Sequence, residues 1–220
     1  MVIDWGSVEF VVFDVDGTLY NQANLRIQMT RMLFRHSILT RSSSTFQILR
    51  SYRRWREELA DKGTPRFEEV LLQRLASRYH KPEDEINRLV SDWMEVRPLP
   101  FLKQYRYPGV KELFAQLRST GKTIGILSDY PAQNKLSRLE LEADFIVSAR
   151  DQEVGVLKPN PRGLHYLMEL ARVSPIATVM IGDRAERDGE MGHRAGVRTY
   201  LRSTTPIHDW EYFNSFYDII

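Results

Sequence analysis

The chain has no cysteine among its 220 residues, which excludes disulfides, thiolate nucleophiles and Cys-ligated metals. It has no apolar run of membrane-spanning length, no internal repeat and no low-complexity segment. An excess of charge of one sign is also missing: 31 Lys and Arg against 29 Asp and Glu leave a net charge of +2. No nucleic-acid-binding motif accompanies the basic residues, so no nucleic-acid partner is expected. The opening Met1-Val-Ile-Asp-Trp5 lacks both a basic stretch and a long apolar one. That gives the expectation of a cytoplasmic protein with no signal peptide and no membrane partner.

What is present is an ordinary globular composition, 42% hydrophobic, in a chain long enough to bury a full core and carry a sizeable insert. Its charge is unevenly spread. Seventeen of the 31 basic residues but only ten of the 29 acidic ones fall between residues 21 and 107. A basic insert on an acidic body suits a small anionic substrate held between them, although Arg50, Arg53, Arg54 and Arg56 also read as a solvated helix face.

The stretch Phe10-Val-Val-Phe13-Asp14-Val-Asp16-Gly17-Thr18-Leu-Tyr20 organises the rest. Its apolar run reads as a buried strand. Extended chain points alternate side chains the same way, so Asp14 and Asp16 can face one another at the strand's end. Two carboxylates held that close repel unless one is protonated or a cation sits between them. Taken alone, the same residues also read as a strand closing in an Asp-Gly turn.

From there to residue 107 the pattern is helical. Apolar residues at mixed three and four spacing predict a helix over 25–39. Ser42 to Thr45 offer caps for a second helix that Gly63 ends. Pro65 opens a third running to about residue 79, and Pro82 a fourth that stops before Pro98, with Glu83, Asp84 and Glu85 in its first turn. Four helices without a strand read as a small bundle. From Pro108 helix and strand alternate: helices over 110–119, 131–139, 161–171 and 187–195, and strands over 123–127, 145–147, 178–181 and 197–201. The expectation is α/β: a doubly wound, Rossmann-like parallel sheet formed by residues 1–20 and 108–220, with residues 21–107 inserted after its first strand as a helical cap. The aromatic tail holding Trp210, Tyr212, Phe213, Phe216 and Tyr217 is expected to pack on the sheet's edge.

Ligands of open parallel sheets bind beyond the carboxyl ends of the strands, and the remaining polar oddities fall there. Ser128 follows the strand over 123–127, Asp183 follows the strand over 178–181 in Gly182-Asp-Arg-Ala-Glu-Arg-Asp188, and Lys158 stands in Gly155-Val-Leu-Lys-Pro-Asn-Pro161 before a helix. Each has a plainer reading: Lys158 as a surface lysine, Asp188 as a first-turn helix aspartate, Ser128 as a helix cap. Asp129 reads as a turn residue or cap, and Tyr130 as either a pocket-mouth or a core residue.

Asp-x-Asp-Gly-Thr, a hydroxyl after a strand, Lys-Pro and Gly-Asp-x-x-x-x-Asp, in this order and context, resemble the haloacid dehalogenase superfamily over nearly the whole chain. The position of the helical insert resembles the subgroup with an α-helical C1 cap. The resemblance implies that Asp14 is a nucleophile forming an aspartyl-phosphate, and that Asp16 protonates the leaving oxygen and later deprotonates water. It implies that Ser128 and Lys158 hold phosphoryl oxygens, with backbone amides of the Gly17–Thr18 turn adding contacts. Mg²⁺ would be held by Asp14, the main-chain carbonyl of Asp16 and Asp183, with Asp188 acting through water.

Asp16 separates the family's branches. Halide leaves without a proton, whereas an alkoxide gains from an acid, so the resemblance implies a phosphatase acting on a small phosphorylated metabolite. A sugar-phosphate phosphomutase with the same nucleophile and a non-catalytic phosphate-binding module are the alternatives, and a 2-haloacid dehalogenase fits least. Arg26, Arg31 and Arg35, on the first inserted helix, are candidates for meeting a second anionic group.

Overall fold

The computed structural model describes residues 3–220. Strand β1 (Phe10–Phe13) lies at the centre of a six-stranded sheet, flanked by β2 (Thr123–Ser128) and β4 (Thr178–Gly182). Beyond them lie β3 (Phe145–Ser148) on one side, and β5 (Arg198–Arg202) and β6 (Glu211–Phe213) on the other, in the order β3-β2-β1-β4-β5-β6. Every pairing is parallel, with Phe10 in register with Thr123 on one side and Thr178 on the other. A central parallel strand has no solvent face, which is why β1 is four consecutive large apolar residues, all buried.

The period of two assigns those residues to two layers. Val11 and Phe13 join one apolar cluster, and Phe10 and Val12 the other. Helices α6 (Val110–Ser119) and α7 (Gln133–Leu139) cover the first face, and α8 (Arg162–Ala171) and α9 (Glu190–Ala195) the second. Chain direction across the sheet reverses at β1: the path to β2 and β3 runs one way, and β4 and β5 lie the other way. That reversal opens a crevice at the carboxyl end of β1.

Between β1 and β2 the chain makes α1 (Gln22–Thr40), α2 (Ser44–Asp61), α3 (Phe67–Tyr79), α4 (Glu83–Ser91) and the short α5 (Leu102–Tyr105). Ile48, Tyr52, Leu71, Leu75, Ile86 and Val90, all buried, are the inward faces of three of these helices. They belong to the same apolar cluster as Val11 and Phe13. A half-buried ion-pair node adds to this contact: Arg150, just past β3, reaches Glu68 of α3 at 2.8 Å and Glu95 at 2.7 Å. Among the described residues no helix is long and apolar enough to cross a membrane.

Four elements differ from expectation. The third and fourth inserted helices begin after their prolines, at Phe67 and Glu83. The helix expected over 187–195 opens instead as a wide π-type turn, Ala185–Gly189, before α9. The Arg184 carbonyl accepts from the amides of Arg187, Asp188 and Gly189, and the extra residue in the turn brings Asp188 inward. The aromatic tail does reach the sheet edge, but there it adds strand β6, pairing Leu201 with Tyr212. With only three residues, that strand is too short to show alternation in sequence.

Candidate active site

Asp14 is the first residue beyond β1, and its amide donates to the Ile181 carbonyl at 2.9 Å. This fixes its carboxylate at the crevice. The turn that follows needs glycine at position 17. Its φ is +106°, and a Cβ there would lie 2.2 Å from Asp183 Oδ2. The turn brings back Thr18, fully buried, whose hydroxyl donates to Asp14 Oδ2 at 2.9 Å and lies 3.3 Å from Asp183 Oδ1.

Lys158 is buried as well, so it is no surface lysine. Its Nζ donates to Asp14 Oδ1 at 2.6 Å and to Asp188 Oδ1 at 2.7 Å. Burial works against its charge, yet the two carboxylates outweigh burial and hold the ammonium well above its ordinary value. The other oxygen of Asp188 accepts from the amides of Asp183 and Arg184, both at 3.2 Å. The close packing of Asp188 on β4 requires Gly182, where a Cβ would fall 2.3 Å from the Asp188 Cβ.

Asp14, Asp183 and Asp188 each offer a carboxylate oxygen within 4.8 Å of the others. Burial, with repulsion from Asp188 and Asp16, raises the Asp14 carboxyl to about 7 despite Lys158. Burial, with Asp14 and Asp188, raises Asp183 to about 8. One lysine does not neutralise this group. A hard divalent cation with oxygen ligands would, so the donor set fits such a metal.

Asp16 lies in the same cavity but belongs to a different pair. Lys135, on α7, donates to its two oxygens at 2.6 and 2.5 Å, and the Tyr20 hydroxyl donates to Oδ1. Burial would raise the Asp16 carboxyl, but these partners outweigh it and hold it below its ordinary value. Neither Lys135 nor Tyr20 stands out in the sequence. A lysine one turn into an amphipathic helix reads as solvated, and only the fold shows that it is buried.

Ser128, at the end of β2, is buried and its Oγ accepts from the Tyr130 amide at 3.2 Å, so it does close the turn there. Asp129 does more than turn the chain. Its carboxylate accepts from the Lys158 amide at 3.3 Å, and its carbonyl accepts from the guanidinium of Arg56 on α2. Tyr130 lines the cavity and carries that guanidinium over its ring, 3.9 Å from the centroid.

The cavity measures about 310 Å³ and is walled by Asp14, Asp16, Lys158, Asp183 and Asp188 on the sheet side. Arg26, Arg53, Arg56 and Trp93 line it from the inserted helices. Arg31 and Arg35 are exposed elsewhere on α1. The arginines of α2 do not form one solvated face: Arg50 and Arg54 are exposed outside the cavity, Arg53 opens onto it and Arg56 is buried. Across the inserted helices and the sheet, Arg184 and Arg187 grip Glu57 of α2 at 3.1 and 2.7 Å. A roomier depression of about 820 Å³, bordered by Lys111, Glu140 and Asp144, contains none of the strand-end carboxylates.

Known proteins resemble this chain in sequence and in fold. The chain is 30% identical over 200 residues to the glyceraldehyde 3-phosphate phosphatase of Methanopyrus kandleri, spanning 87% of this chain and 82% of that one. It is 27% identical to the pyrophosphatase PpaX of Bacillus mycoides, spanning 90% and 85%. In fold it matches the 2-haloacid dehalogenase of Pseudomonas syringae pv. Tomato with a TM-score of 0.65 at 21% identity, over 95% of each chain. The family model for haloacid dehalogenase-like hydrolases matches residues 8–196, the span holding every strand-end group described above, and the chain belongs to that family of hydrolases.

Proposed function

We propose that this hydrolase is a Mg²⁺-dependent phosphatase of small phosphate monoesters, with residues 1–20 and 108–220 as the catalytic core and residues 21–107 as its cap. The observation that carries the reading is a second carboxylate, Asp16, in the same cavity as the Asp14–Lys158–Asp188 cluster. A halide leaving group has no use for an acid, whereas an alkoxide does. Two relatives bear names of enzymes that act on phosphorylated compounds, which supports the same choice.

Asp14 attacks phosphorus. The bond to the ester oxygen breaks, the leaving oxygen takes a proton from Asp16, and an aspartyl-phosphate remains. Asp16, now ionised, accepts a proton from water as that water attacks phosphorus, and the acyl-phosphate bond breaks to release phosphate and restore Asp14. Lys158 and the Ser128 hydroxyl, whose own proton is not used in its bond from Tyr130, hold phosphoryl oxygens, with the Gly17 and Thr18 amides at the turn. Asp14, Asp183 and the Asp16 carbonyl, with Asp188 behind them, would hold Mg²⁺, which supplies positive charge opposite the phosphoryl oxygens. Thr18 keeps the Asp14 carboxylate oriented. A screen of phosphorylated metabolites for phosphate release, with and without Mg²⁺, tests the reading: metal-dependent release from a subset supports it, and no release from any ester contradicts it.

A further inference from the structure

The cap side of the cavity holds positive charge that the protein itself does not use. Arg56 is spent, since it is buried, donates to the Asp129 carbonyl and stacks on Tyr130. Arg184 and Arg187 are spent on Glu57, Glu186 and Asp61. Arg53 of α2 and Arg26 of α1 are different. Among the described residues neither has a carboxylate partner: Arg53 reaches only the Met94 sulfur, at 3.7 Å, and Arg26 only the Gln22 side chain, at 2.6 Å. Both line the cavity that contains Asp14.

The two guanidiniums come from separate helices and repel one another. Arg53 is exposed to solvent, yet enough protein surrounds its head that desolvation, opposed by Tyr130 and aided by the charge of Arg26, holds it below its ordinary range. Two unpaired, forked donors facing one small cavity form a site for an oxyanion, because a planar guanidinium matches a carboxylate or phosphoryl group with two parallel bonds. Leu25, Met29, Trp93 and Met94 line the same cavity and suit a short carbon linker. A volume of about 310 Å³ lies at the small end of the roughly 300–1,000 Å³ typical of ligand pockets. Resting on the phosphatase reading, we propose that the substrates are small phosphate monoesters carrying a second anionic group, and that Arg53 and Arg26 bind that group.

The test uses phosphate monoesters of ω-hydroxy carboxylic acids two to four carbons long, each beside its uncharged carboxamide. Bisphosphates of diols of the same lengths stand beside the corresponding monophosphates. At one chain length the wild-type enzyme is expected to favour the charged ester in kcat/KM by about ten- to hundredfold, the worth of charge-assisted hydrogen bonds. The pair with the larger ratio identifies the second group as carboxylate or phosphate. The ratio falls toward one in Arg53→Met and in Arg26→Met, and Arg53→Lys, which keeps the charge but not the fork, retains part of it. Should Arg53→Met fail to fold, Arg26→Met on the other helix carries the test. Equal turnover of charged and uncharged esters by the wild type, or a ratio unchanged in the variants, overturns the proposal while leaving the phosphatase reading standing. Failure to cleave any ester overturns both.

Discussion

Lys135 Nζ lies 2.6 and 2.5 Å from the two carboxylate oxygens of Asp16, with both side chains largely shielded from solvent. This pairing makes the two halves of the proposed cycle unequal. A carboxylate held below its ordinary pKa by a buried cation is a poor acid to keep loaded, but it is ready to accept a proton from water in the second half.

Lys135→Met should therefore slow dephosphorylation more than phosphorylation. Without the lysine, desolvation dominates and Asp16 stays protonated. p-Nitrophenol leaves without a proton, so p-nitrophenyl phosphate should give a rapid burst of nitrophenol followed by a steady rate lower by about 10²-fold. Stopped-flow absorbance reads this directly, and an unchanged steady rate with no burst would contradict it.

Asp16→Asn should discriminate among leaving groups. Loss of general acid help costs about 10²–10⁴ in rate. It should weigh most on alkyl phosphates, whose alkoxide needs the proton, and less on aryl phosphates, where only the water-activating half suffers. Initial rates on one alkyl and one aryl ester decide the matter, and equal losses on both would count against Asp16 as acid.

Asp14→Asn separates function from stability. Turnover should fall by about 10⁴ or more, the scale of losing a nucleophile. In metal-free buffer the fold should not weaken. The Asp14 carboxyl is raised to about 7 by burial and its acidic neighbours, so its ionised form costs the folded state stability above that pH, and a neutral amide removes the cost. Melting at pH 8 in chelator should occur at or above the wild-type temperature, and a large drop would mean that the carboxylate is structural.

Most of this site was legible before the fold was. Asp14 and Asp183 directly follow strands, Asp188 lies in the turn after β4 and Lys158 in the loop before α8. The strands follow from short apolar runs broken by glycine and proline, and the Lys-Pro and Gly-Asp-x-x-x-x-Asp patterns mark the other two residues. The sheet was legible for the same reason, apart from three-residue β6. What escaped was everything that depends on one helix facing another part of the chain. Lys135 and Arg53 sit in patterns that fit a solvated helix face, and periodicity marks the apolar side of a helix without telling which charged residue borders a cavity. The π-type turn at Ala185–Gly189 escaped as well, because one added residue in a turn leaves no compositional trace.

The grip of Arg184 and Arg187 on Glu57 ties the inserted helices to the sheet and should respond to acid. Burial would raise Glu57, but hydrogen bonds from the two arginines outweigh it and lower it to about 2. Because the folded value lies below the unfolded one, 4.5, this contribution is complete above about pH 4.5 and is lost as pH falls toward 2. Glu57 is half exposed, so solvent screening limits the pair to about 0.5–1 kcal/mol. Urea denaturation of Glu57→Gln should show a deficit of that size at pH 6 that shrinks by pH 3, and a deficit independent of pH would contradict the linkage.

The proposed mechanism requires a covalent bond between phosphorus and the Asp14 carboxylate. Rapid acid quench of the enzyme turning over a ³²P-labelled ester with Mg²⁺, followed by peptide mapping, should place the label on the peptide bearing Asp14 and find none in Asp14→Asn. Turnover without a labelled enzyme, or label retained by Asp14→Asn, would contradict the account.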